Sequence, residues 1–176
     1  AEPKLKIMGI EAIKSSTPEI CRTRFKEIFQ ILVSGTEAEA QEYIRKFKQE
    51  FKNLPPEKIA FPRSVSNIKD WSDRKTIYKS CPIHVRGSLL FNKKVKDNKL
   101  TKKYELITGG TKIKFCYLKL PNPIQENVMA FIEVMPPEFK LEKYIDYDLQ
   151  FDKTFTEPLK LILDAIDWSP EPQASL

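Results

Sequence analysis

Two apolar stripes of helical period, separated by one glycine, restrict this chain more than any other feature. Ile20, Cys21, Phe25, Ile28 and Leu32 recur at the spacing of one helix face, Gly35 interrupts them, and Ala40, Tyr43, Ile44, Phe47 and Phe51 repeat the pattern. Each stripe must be covered, and a joint this short lets each helix cover the other, so an antiparallel helical pair is expected. Local signals agree. In Lys14-Ser15-Ser16-Thr17-Pro18-Glu19, hydroxyls stand at the cap and proline at the first helical position. Thr36-Glu37-Ala38-Glu39 reads as a capping box for the second helix.

Further along, the period changes. Lys112–Lys119 (KIKFCYLK) alternates cation and apolar residue, the pattern of a strand with one wet face, and Val128–Val134 is a second strand. Tyr104–Ile107 adds a third, with Gly109-Gly110 as the hairpin turn into Lys112. A helix is expected from Pro82 to about Val95, and a short terminal helix behind Pro158 carries Leu159, Ile162, Leu163 and Ile166. A short strand is expected at Lys4–Met8, and prolines 55, 56 and 62 break regular structure between 53 and 66. The fold class is therefore α+β: a helical hairpin, a basic helix and a small antiparallel sheet. With 176 residues the chain is long enough for one good core, or for one core plus a lobe.

The chemistry concentrates in Ser80–Lys94, SCPIHVRGSLLFNKK, which holds the one histidine. His84, Arg86 and Gly87 sit within an otherwise apolar helical run, and a mid-helix glycine costs about 1 kcal/mol relative to alanine. Gly87 therefore signals that another backbone or a ligand approaches closely. Two readings follow: a buried helix with a polar tip, or a histidine, an arginine and bare backbone laid along a phosphate chain. Lys79 lies just upstream, and Lys93, Lys94, Lys96, Lys99, Lys102 and Lys103 follow against Asp97 alone. The net charge of +6 favours an anionic partner. Beyond Pro136 acids outnumber lysines, so a basic face must come from the middle of the chain. Lys112, Lys114 and Lys119 are either phosphate contacts or edge lysines that discourage aggregation. Lys14, Ser15 and Ser16 stand where helix N-terminal N–H groups can seat a phosphate, or simply cap it.

Several functional classes lack their signatures. There is no glycine-rich phosphate loop, no G-x-S-x-G elbow and no His-rich metal pattern, so no catalytic residue and no metal ligand is assigned. Cys21, Cys81 and Cys116 cannot all pair, which points to free thiols and a reducing compartment. No apolar run reaches the roughly 18 residues of a membrane span.

AEPKLKIMG, then KSSTPE, then KSCPIHVRGSLLFNK, then NPIQENVMAF and FDKTFTEPL together resemble the C-terminal part of the family B DNA polymerases of T-even-like bacteriophages. The resemblance runs with gaps from Ala1 to Leu176; its most specific parts are the first two motifs and CPIHVRG. It implies a palm-edge remnant at 1–16, a thumb domain at 17–168 and the start of a C-terminal tail at 169–176. The parent chain would be a DNA-directed DNA polymerase dependent on magnesium, acting in the cytoplasm of an infected bacterial host. The family's catalytic aspartates lie upstream of this stretch, so the fragment is expected to be inactive alone and to need no cofactor. Its partner would be primer–template DNA, gripped by sugar and phosphate, with no membrane association and as a monomer. Carried over by position, Lys14, His84, Arg86, Gly87, Lys112, Lys119 and Lys153 fall near the duplex backbone, with Ser15, Ser16 and Lys79 beside them. Two departures stand out: Ser80 occupies the place of a family lysine, and Glu157 stands before Pro158 where relatives carry lysine. Gln173 and Leu176 resemble the opening of the family's sliding-clamp peptide. Its aromatic anchors are missing, so weak or no clamp binding is expected. The alternative reading is a basic protein-interaction or RNA-binding module without catalysis.

Overall fold

The computed structural model describes Gly9 and residues 13–72 and 80–173. The strand expected at Lys4–Met8, together with Lys79 and Leu176, lies outside the described residues. Helix and strand are both present, in two units: Ala1–Ile59 with Tyr147–Leu176, and Ala60–Asp146.

The first unit is helical. Helix α1 (Glu19–Ser34) buries Cys21, Phe25, Ile28 and Leu32, and α2 (Glu37–Phe51) buries Ala40, Ile44, Phe47 and Phe51, the two stripes expected from spacing. Pro18 occupies the cap position itself, and no side chain accepts from the first turn of α1, so the hydroxyls of Ser15, Ser16 and Thr17 do not cap it. Thr36 does cap α2, its Oγ1 accepting from the Glu39 N–H at 3.2 Å. Gly35 between the helices has an extended backbone, not a left-handed one. Its reason is space: a Cβ there would stand 2.9 Å from the Ile31 carbonyl oxygen. A short turn, α3 (Pro56–Ile59), precedes the crossing into the second unit.

Returning, the chain forms α6 (Tyr147–Phe151), a π-helical turn (Asp152–Thr156) and α7 (Glu157–Ala165). Phe155 stacks on Phe25 with ring centres 4.6 Å apart and meets Phe47 edge-on at 4.8 Å; Phe151 meets Phe51 at 5.1 Å. Aromatic pairs of this geometry add about 0.5–1.5 kcal/mol each beyond the area they bury. The buried Gln150 amide is satisfied by donating to the Ile59 carbonyl at 2.8 Å. Apolar spacing in the sequence predicts only the helix behind Pro158. The helix in fact begins earlier, and the widened turn lies immediately ahead of the proline, whose missing N–H cannot continue a regular ladder.

The second unit is a three-stranded antiparallel sheet with a helix on it. Strands β1 (Phe61–Ser64), β2 (Lys112–Tyr117) and β3 (Val128–Phe131) lie in the order β1-β2-β3, with Phe61 opposite Phe115 and Phe115 opposite Ala130. Between β1 and β2 come a short turn, α4 (Lys69–Ser72), and helix α5 (Ile83–Asp97). Two expectations are corrected here. Tyr104–Ile107 is not a strand; the Asn92 side chain holds Ile107 from both sides, accepting from its N–H at 2.8 Å and donating to its carbonyl at 2.9 Å. Gly109-Gly110 therefore turns the chain from a loop into β2, with the Gly110 N–H bonded to the Val65 carbonyl at 2.7 Å. The outer partner of β2 is Phe61–Ser64. A strand containing Pro62 fits there because an edge strand need not donate every N–H.

Candidate nucleic-acid interface

In the second unit, α5 carries the residues that the sequence singled out. Gly87 lies against β3: a Cβ on it would stand 3.1 Å from the Ala130 backbone nitrogen and 3.2 Å from Val128 Cγ2. Of the two partners a mid-helix glycine implies, the close one is backbone. Arg86 is buried, and its Nη1 donates to Glu126 Oε2 at 2.8 Å; its Nε has no hydrogen-bond partner. In this structure its charge is therefore met from within the chain. His84 is half-buried, its ring centre 6.5 Å from that of Phe115. Burial, and then the positive charge of Arg63, push the imidazole below its ordinary pKa. Arg63, exposed on the edge strand, carries no local sequence signal, because Phe61–Ser64 becomes a strand only by pairing with β2.

The lysines of β2 take their places from strand alternation. Phe115 is paired with Ala130, which faces α5, so Ile113, Phe115 and Tyr117 lie on the helix side of the sheet. Lys112 and Lys114 lie on the other side, Lys112 exposed and Lys114 half-buried. His84 and Lys112 thus belong to different faces of the sheet. Lys119 is exposed just past the end of β2, its own N–H bonded to the Tyr144 carbonyl at 2.6 Å.

At the far end of α5 the cations are mostly exposed: Lys93, Lys96, Lys99, Lys102 and Lys103, with Lys94 half-buried. Lys93 pairs with Asp97 at 2.6 Å and Lys103 with Glu138 at 2.7 Å. Glu138 Oε1 also accepts from the Tyr104 hydroxyl at 2.6 Å, and these bonds, that of Lys103 first, hold its carboxyl down at about 2. A groove of about 820 Å³ runs beside Leu90, Lys93 and Lys94 and is lined also by Trp71 and Ile124.

The remaining named residues belong to the first unit. Lys14 and Ser15 are exposed, Ser16 is half-buried, and the Thr17 N–H closes a turn on the Lys14 carbonyl at 3.0 Å. The first turn of α1 behind them has no side-chain cap. Lys153, exposed in the π-helical turn, lies 3.5 Å from Glu157. Glu157, the departure noted before Pro158, thus shares the charge of the neighbouring lysine. Gln173 is exposed after a segment anchored by the Ser169 N–H, which donates to Glu37 at 2.7 Å.

Cys21, Cys81 and Cys116 are buried and form no disulfide with one another, and burial pushes Cys21 and Cys116 up to about 12. No cluster of His, Cys, Asp and Glu suited to a metal ion occurs among the described residues, and no helix there is long and apolar enough to cross a membrane.

No protein-family model matches the chain. Among curated proteins it is 29% identical over 180 residues to the DNA-directed DNA polymerase of Enterobacteria phage T4 and 33% identical over 181 residues to that of Escherichia phage RB69. Each match covers 100% of this chain and 20% of the relative, so the chain spans about one-fifth of the length of the proteins it matches. From end to end, then, the chain is similar to a segment about one-fifth as long as the DNA-directed DNA polymerases of these two phages.

Proposed function

We propose that this chain is the palm-edge and thumb region of a DNA-directed DNA polymerase and that it holds primer–template duplex through the sugar–phosphate backbone. The observation that carries the reading is the end-to-end similarity to two DNA-directed DNA polymerases. Exposed lysines on both units support it: Lys14 and Lys153 on one, Lys112 and Lys119 on the other. The parent enzyme would supply the magnesium-binding carboxylates for nucleotidyl transfer from another part of its chain, and primer extension by these 176 residues alone is not expected. The anchored tail that leads to Gln173 would head toward a sliding clamp in the parent protein.

Backbone gripping has a measurable signature. Anisotropy titrations with a recessed primer–template, a blunt duplex and a single strand, each at two salt concentrations, separate it from other modes of binding. With ~4–6 phosphates neutralised, the log–log salt slope on duplex is about −4 to −5, and binding of the isolated chain falls at roughly 10 μM or weaker. A preference for single strand, or a slope near zero on duplex, would instead favour an RNA-binding or protein-interaction module.

A further inference from the structure

We propose that Arg86 is a positioning residue rather than a phosphate contact: paired with Glu126, it holds the β2–β3 loop so that Lys119 is presented in one place. This rests on the reading of the chain as a duplex-binding region. The loop is tied together internally. The Leu118 N–H donates to the Asn127 carbonyl at 2.8 Å, closing the base. Asn122, 7% exposed, donates through Nδ2 to the carbonyls of Lys119 at 2.8 Å and Glu126 at 2.7 Å, and its Oδ1 accepts from the Ile124 N–H at 3.0 Å. One amide thus fastens the backbone of Lys119 to that of Glu126. The Glu126 carboxylate, in turn, is fixed to α5 by Arg86 at 2.8 Å. Continuity runs from helix to guanidinium to carboxylate to loop to lysine.

The ends of this chain of contacts differ in exposure. Arg86 is 9% exposed, whereas Lys119 and its neighbour Leu120 are exposed, and Lys119 makes no ion pair among the described residues. A buried guanidinium paired at hydrogen-bonding distance has little charge left to offer a phosphate, and truncating half-buried Glu126 leaves that guanidinium buried and uncompensated. Preorganising Lys119 lowers the ordering cost of each backbone contact it makes.

The two possible roles of Arg86 give opposite signs for one substitution. If Arg86 touches phosphate, Glu126 competes for it, and Glu126→Gln tightens duplex binding. If Arg86 positions the loop, Glu126→Gln and Arg86→Gln each weaken binding, by about tenfold through lost preorganisation. Arg86→Gln in a Lys119→Ala background then costs no further affinity, because its route to the DNA is already gone. Tighter binding by Glu126→Gln, or additive losses in the Arg86→Gln/Lys119→Ala pair, would overturn the proposal. A DNA-free arm keeps the test independent: amide hydrogen exchange at Ile124 and Gln125, both bonded to Asn122, should speed up in either single variant while β2 amides do not change. Unchanged loop exchange also overturns it. Glu126→Gln serves where Arg86→Gln does not fold. If the unmodified chain binds no duplex, the functional reading fails, and exchange alone decides whether Arg86 holds the loop.

Discussion

Replacing Gly87 by alanine sets two well-measured effects against each other at one buried position. Alanine is favoured over glycine in a helix interior by about 0.8–1.0 kcal/mol, so on propensity alone the variant should be more stable. The added Cβ, however, would stand 3.1 Å from the Ala130 nitrogen, 3.2 Å from Ala130 Cβ and 3.2 Å from Val128 Cγ2, all inside the usual ~3.5–4.0 Å carbon separation. Ala130 is in β3, paired through its backbone register with Phe115 of β2, so the obstructing atom is part of the ladder and cannot rotate away. Relief requires α5 to lift by a few tenths of an ångström, loosening contacts at Val85 (2% exposed), Leu90 (8%) and Phe91 (2%). Overpacking of this kind typically costs 1–3 kcal/mol, which outweighs the propensity gain and leaves a net loss of about 1 kcal/mol. Urea unfolding followed by circular dichroism reads it directly: with m near 2 kcal/mol/M, the midpoint falls by about 0.5 M. Gly109→Ala is the control, since nothing stands within 4 Å of its Cβ position. A Gly87→Ala midpoint equal to or above that of the parent protein would refute the claim that helix–sheet approach dictates this glycine.

Two titrations test the electrostatics. His84 has a folded pKa below its unfolded value, chiefly from burial and then from Arg63, so its contribution to stability is present above about pH 6.5 and is lost as the pH falls toward the folded pKa; Arg63→Gln should raise the value read by NMR, and no change would remove Arg63 as a cause. Glu138 is held at about 2 by Lys103 first and by Tyr104, so its contribution is present above about pH 4.5 and is lost on acidification toward pH 2; Lys103→Ala should move the carboxyl back toward its ordinary range, measured by side-chain NMR.

The paired helices were legible because their stripes follow helical spacing and their boundaries are marked by Pro18, Gly35 and Thr36. Strand β2 was legible for the same reason at a period of two. What escaped the sequence depends on contacts distant along the chain. Phe61–Ser64 carries a proline and becomes a strand only because β2 offers it an edge. Tyr104–Ile107 has strand-like residues, but Asn92, fifteen positions earlier, holds Ile107 in a loop. At the interface the cations were visible as residues, but their roles were not. No local pattern couples Arg86 to Glu126, forty positions on, and alternation assigns Lys112 a sheet face only once the side covered by α5 is known. Gly87 was the most informative single letter, since its close neighbour could be anticipated even though the identity of that neighbour could not.

The coupling of Asp152–Thr156 to Pro158 has a consequence for how this region can be altered. The Glu157 N–H reaches back five residues to the Asp152 carbonyl, one more than in an ordinary helix, and the next residue has no N–H to restore the count. Replacing the proline alone leaves the extra residue of the turn in place, whereas deleting one residue from the turn removes it. Deletion would swing Phe151 and Phe155 out of phase with Leu159 and Ile162, all four of them buried, so the extra residue of the turn keeps the aromatic cluster and α7 on one face.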